Sequence, residues 1–217
     1  MARKVTRSKG QVHAVVAAAA ILGLLLIALS FYRPGAALKP EEMLRQALLH
    51  LEQAHDYSLV IEEKGSGYTL TFEGQVESGA IINGTLPDYD LEVFHVGDDL
   101  HVRKTGSEQW EEARELKSLP GFLISPAKLL RAQKLNFKNA AAGQNVELNG
   151  RSCRTVYLDL TGEQQFMKML FPQIETDAIE KASLGAAFDD EEQNLIQLRL
   201  LVEFADGGRL ERAYHSQ

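Results

Sequence analysis

Residues 12–31 form an apolar run whose only ionisable member is His13. A helix of that length rises roughly 30 Å, the thickness of a bilayer's hydrocarbon core. A second pattern begins at Pro40-Glu41-Glu42, where proline and two acids suit a helix's first turn. Leu44, Ala47, Leu48, Leu51 and Ala54 then keep the spacing of an amphipathic helix that ends near Asp56. Beyond it the period drops to two. Tyr68, Leu70, Phe72 and Val76 alternate with Thr69, Thr71, Glu73, Gln75 and Glu77, a strand with one wet and one apolar face. The same alternation, less clean, runs through 57–63, 89–96 and 100–103. The breaks between are Gly65-Ser66-Gly67, Ser78-Gly79, Pro87-Asp88 and Gly97-Asp98-Asp99, which are hairpin turns. No helical pattern separates these strands, so parallel crossovers are excluded across 57–103.

Further on, Ser125-Pro126 caps a helix over 127–133, and strands are predicted at 134–140, 145–148 and 154–160. Asn149-Gly150 between the last two is a two-residue hairpin turn. Thr161 and Gln164 give a capping box to a third helix that stops before Pro172. Residues 175–192 are polar and poorly patterned. The longest strand, 194–204, puts Ile196, Leu198, Leu200, Val202 and Phe204 on one face, and Gly207-Gly208 turns into a last strand at 209–214. About ten strands and three helices predict an α+β domain: one large curved, mostly antiparallel sheet whose apolar face the helices cover.

Charge divides the chain at the same place as the pattern. The 217 residues carry a net charge of −7. Residues 1–39 hold six cations and no acid, leaving 17 cations against 30 acids, or −13, over 40–217. Phosphate backbones repel so acidic a domain, which excludes a nucleic-acid partner. Four cations precede the apolar run and only Arg33 follows closely, so the amino terminus stays cytoplasmic and the remainder is exported. The expected organisation is a basic cytoplasmic tail (1–11), a transmembrane signal anchor (12–32), a linker (33–40) and an extracytoplasmic domain (41–217). A cleaved signal peptide is the rival, but its apolar run is normally shorter, and Arg33 and Pro34 weaken the small-residue zone at Gly35-Ala36-Ala37. No cysteine follows the run, so a lipid anchor on cysteine is excluded.

Candidate chemistry is sparse. The single cysteine, Cys153, excludes an intramolecular disulfide and multi-cysteine metal sites. Arg151 and Arg154 flank it and would lower its pKa if close, but the plain reading is a buried structural thiol. His50 and His55 sit five apart on a helix and fall on different faces, whereas metal ligands need three or four. His95 and His101 lie on neighbouring strands, with no third ligand evident. Asp189-Asp190-Glu191-Glu192 lacks the alternation and glycine of a calcium loop and reads as solvated. No nucleophile elbow, phosphate loop or dinucleotide fingerprint is present. The expectation is a protein that is not an enzyme and uses no cofactor.

The order of elements resembles the LolA-like, LppX-type lipoprotein-carrier superfamily. This group comprises the periplasmic lipoprotein carrier, mycobacterial lipid-carrying lipoproteins and the sensor domain of the RseB regulator. The resemblance covers residues 41–215. It runs through the leading helix, the paired strands from Tyr57, the strand followed by Trp110, the proline-started helix with Leu129-Leu130, and the hairpin at 146–160. It implies an unclosed β half-barrel whose apolar inside, lidded by helices, accepts acyl chains. On that reading the ligand wall is Leu59, Ile61, Leu70, Phe72, Leu91, Val93, Leu198 and Leu200, with Phe166, Met167 and Leu170 from a helix that is apolar nearly all round. Methionine-rich surfaces adapt to varied ligands, but the same residues equally describe an ordinary core helix and filled sheet face. The carrier is a soluble shuttle, whereas a retained anchor tethers this chain. The expected partners are therefore the membrane, through 12–32, and a lipid or acyl chain. The alternative is an envelope protein bound by an RseB-like signalling or assembly module.

Overall fold

The computed structural model describes residues 38–113, 115–190 and 194–216, so the expectations for residues 1–37 lie outside the described residues. Among the described residues no helix is long and apolar enough to cross a membrane.

The leading helix α1, Pro40–Gln53, starts on its proline and buries Met43, Leu44, Ala47, Leu48 and Leu51. Six strands follow as a meander: β1 Tyr57–Gly65, β2 Tyr68–Glu77, β3 Ile81–Leu86, β4 Leu91–Val96, β5 Asp99–Lys104 and β6 Glu111–Glu112. A one-turn helix α2, Leu119–Phe122, precedes α3, Pro126–Gln133, whose first turn is closed by the Ser125 hydroxyl accepting the Lys128 amide at 3.3 Å. Two short strands, β7 Ala141–Ala142 and β8 Val146–Leu148, lead into β9 Arg151–Asp159. The helix α4, Gln164–Leu170, then precedes the final run β10 Ile179–Asp189, β11 Leu195–Phe204 and β12 Arg209–Ser216.

Every pairing is antiparallel, in the order β6-β5-β4-β3-β2-β1-β12-β11-β10-β9-β7, with β8 also on β9. The two ends do not meet, so the sheet stays unclosed. At its centre lies the pair β1–β12.

Register gathers the apolar positions into rows on the helix-covered inner face. One row reads Leu158, Leu184, Leu200, Arg212, Glu63, Leu70, and the next Val156, Ala186, Leu198, Tyr214, Ile61, Phe72. A further row is Tyr57, Val76, Ile82, His95, Leu100. Gly74 and Gly84 face each other across β2 and β3. A Cβ on Gly74 would stand 2.6 Å from the tip of the Phe72 ring, and one on Gly84 would stand 2.7 Å from it. The ring therefore lies on bare backbone at a place only glycine leaves open.

Four sequence expectations are corrected. Residues 134–140 are not a strand: Lys134–Asn139 is a 3-10 helix. Its apparent alternation fails because Phe137 is 0% exposed but Leu135 is 87% exposed. The stretch 175–192 is not irregular, since β10 occupies most of it and pairs on both sides. Its Ala182, Gly185, Ala186 and Ala187 are too small to show a hydrophobic alternation. The Thr161–Gln164 capping box does not form. Glu163 is the N-cap, and the Thr161 hydroxyl instead accepts the Ala182 amide at 3.3 Å. The sheet has twelve strands rather than about ten. By contrast, Asn149 and Gly150 both take positive φ, 53° and 74°, as a tight hairpin turn requires.

Candidate functional site

The eight strand residues predicted to line a ligand share the inner face, and α4 places Phe166, Met167 and Leu170 among the buried side chains. Leu59, Ile61, Phe72, Val93, Leu198 and Leu200 are buried with them; Leu70 and Leu91 are half-buried. These residues are packed against one another and against side chains of the cover.

Within this apolar face sits a charged cluster. Arg212 is 2% and Glu63 7% exposed. The Arg212 Nε donates to Glu63 Oε2 at 2.6 Å, and its Nη2 also contacts that oxygen. The Tyr68 hydroxyl donates to Glu63 Oε1 at 2.8 Å, and Arg212 Nη1 donates to the Gly121 carbonyl at 2.6 Å. The guanidinium lies 4.6 Å from the Phe171 ring centre and 5.3 Å from that of Phe122. Burial alone would lower its pKa, but Tyr214 and Glu63 outweigh that and hold it above the ordinary arginine value. Burial and the bond to Glu63 push the Tyr68 hydroxyl up. The cluster ties the sheet's centre to α2 and to the end of α4. Sequence reasoning missed it, although each strand carries the clue: an ion follows apolar residues at an inward position, Glu63 after Leu59 and Ile61, Arg212 after Leu210.

A pocket of about 440 Å³ opens at the rim, between the inner face and α3. Ile82, His95, Leu123, Ala127, Lys128 and Met169 line it, with the turn glycines Gly79 and Gly97 at its mouth. Its size is that of a small-ligand site. A second hollow, about 370 Å³, lies mainly on the outer face around Tyr157, Gly185 and Arg199. A third, about 350 Å³, lies between α1 and the strands β1, β11 and β12, lined by Ala47, Leu51, Tyr57 and Ile196.

His95 and His101 do not converge. His101 stands directly opposite Phe94 in the register, so it faces outward while His95 faces inward. Cys153 is buried, and burial followed by the Asp189 charge raises its pKa, against the lowering that flanking arginines suggest. Those arginines are turned to Asp189 (3.4 Å) and Asp190 (3.0 Å). Asp189 is accordingly buried at the end of β10 and is not part of a solvated loop.

Burial, then the Lys128 charge, lowers the His95 pKa below the ordinary 6.5; the Gly97 backbone and Asp98 oppose this. As pH falls, the unfolded chain therefore takes up this proton first. Its stabilising effect is complete above pH 6.5 and is lost as pH drops below it. Urea midpoints from pH 7.5 to 5.5 should fall less steeply for His95→Gln than for the parent. Equal slopes would contradict this placement of His95.

An unclosed antiparallel sheet with one face under short helices defines the LppX/LolA type of half-barrel, and the chain has that fold. The lipoprotein LppX of Mycobacterium tuberculosis superposes with a TM-score of 0.50 at 13% identity, over 82% of this chain and 92% of that one. LprF from Mycobacterium bovis gives 0.49 at 12% identity, over 82% and 91%. MucB in the Pseudomonas aeruginosa MucA/MucB complex gives 0.35 at 13% identity, over 82% and 56%. Neither a protein-family model nor a curated protein sequence matches the chain.

Proposed function

We propose that residues 41–217 form an extracytoplasmic binding domain, tethered to the membrane through residues 12–32, that holds an acyl chain or other apolar ligand between sheet and helices. The observation that carries this reading is the rim pocket, whose wall is shared by the inner face and the helix cover. The fold common to this chain and the lipoprotein LppX supports it. Burying a chain releases about 0.8 kcal/mol per methylene, so holding one needs no catalytic group and no cofactor.

In this reading a short ligand occupies the rim. A longer one reaches Leu59, Ile61, Leu70, Phe72, Leu91, Val93, Leu198 and Leu200 once Phe166, Met167 and Leu170 move aside. Unbranched methionine is suited to such repacking. Native mass spectrometry of the full chain, extracted from a lipid-containing host, should show a bound-lipid adduct. A clean apo mass together with no uptake of labelled fatty acid overturns the reading.

A second reading, a signalling or assembly module that binds an envelope protein, is favoured by the packed state of the inner face. Crosslinking in intact membranes that returned one stoichiometric protein, with no lipid, would establish it instead.

A further inference from the structure

We propose that the rim pocket receives the anionic head, a carboxylate or phosphate, of an amphiphile whose tail runs inward over the apolar wall. This deepens the acyl-ligand reading and rests on it.

The first observation is His95. It is 6% exposed, lines the pocket, and its Nε2 has no hydrogen-bond partner. A buried polar atom left unpaired costs free energy, and a bound anionic oxygen recovers it by accepting from Nε2 once the ring is protonated beside that charge. The second is the charge around it. Lys128 lines the same pocket and has no ion-pair partner among the described residues. Arg131, also on the wall, is held by Glu52 at 2.9 Å. Asp98 is the acid that acts on His95, from the β4–β5 turn. Among the described residues Lys128 is thus an unpaired cation on the pocket wall of a domain whose net charge is −13.

The third observation is the start of α3, whose residues Ser125, Ala127 and Lys128 line the pocket. That end carries partial positive charge, although Pro126 has no amide hydrogen and the Lys128 amide is held by Ser125 Oγ. Under it lies a second buried, unpartnered atom, the Tyr57 hydroxyl. That hydroxyl faces the Ser125 side chain and the Ala127 backbone, yet makes a well-formed bond to neither. Tyr57 and His95 occupy one sheet row, separated by Val76 and Ile82, or about 14 Å at three strand spacings. Tyr57 lines the separate pocket beside α1, so of these two atoms only that of His95 belongs to the rim pocket.

The remaining wall decides between a free anion and an amphiphile. Ile82, Leu123, Ala127 and Met169 offer a small anion nothing, whereas an attached hydrocarbon covers them.

The test uses the full chain held in amphipol. Its probes are 11-(dansylamino)undecanoic acid and the methyl ester of that acid, with dodecyl phosphate and inorganic phosphate as competitors. The acid should bind at least about tenfold more tightly than the ester. His95→Ala and Lys128→Ala should each weaken the acid about tenfold more than the ester, and equal losses for both probes overturn the head-group assignment. Lys128 is exposed, so its variant keeps the test valid should His95→Ala fail to fold. Dodecyl phosphate should displace the acid and inorganic phosphate should not. Equal affinity for acid and ester overturns the head-group assignment while the apolar-ligand reading stands. Displacement by inorganic phosphate at the same concentration overturns the amphiphile. Binding of neither probe overturns the underlying reading itself.

Discussion

Replacing Arg212 with alanine should cost the domain about 3–5 kcal/mol, because it strands the Glu63 carboxylate in a site where water cannot replace the lost partner. The two side chains are only 2% and 9% exposed, so solvent screening does not soften the loss. The Gly121 carbonyl loses its donor as well, and the Phe122 and Phe171 rings lose the cation that lies against both. The joint variant Glu63→Leu with Arg212→Met removes both charges and keeps the volume. It should recover most of the stability, since apolar replacement of a whole buried pair is often neutral or better. Urea unfolding followed by far-ultraviolet circular dichroism measures all three proteins. An Arg212→Ala loss under about 1 kcal/mol would show that water reaches Glu63.

Phe72→Ala should rank next, at about 3–5 kcal/mol, the range for an aromatic side chain removed from a packed interior. The high end is expected here because the ring does more than fill volume. It lies against the facing backbones of Gly74 and Gly84, which have no side chains of their own to replace it. Phe72→Leu keeps much of the contact and should cost no more than about 1.5 kcal/mol. The shift in unfolding midpoint distinguishes the two. Equal, small losses for both variants would mean the glycine pair is covered by something else.

Period and turn chemistry made most of this fold readable. Leu59, Ile61, Phe72, Val93, Leu198 and Leu200 were predicted to share one apolar face, and they do, because in an antiparallel sheet parity alone selects the face. Asn149-Gly150 and Ser125-Pro126 were readable because their backbone requirements admit few residues. Strand β10 was hidden since it sits between two partners and packs with alanine and glycine, leaving no contrast to alternate. Lys134–Asn139 misled for the opposite reason: Leu135 and Phe137 alternate in sequence, but the chain turns under Phe137 and leaves Leu135 in water. The central ion pair joins residues 149 apart, and no local window holds both. His95 was visible only as a histidine on a strand, since its importance comes from an α3 that lies far along the chain yet covers it.

The placement of β12 beside β1 makes the middle of the molecule its most exposed point of failure. Hairpins to either side assemble from sequence neighbours, whereas this seam must bring distant segments together and so should zip last. A chain clipped before Arg209 would lose its midline rather than an outer margin, leaving raw edges at β1 and β11. Such edges recruit other strands. Damage at that one ribbon therefore turns a self-contained sheet into two templates for aggregation.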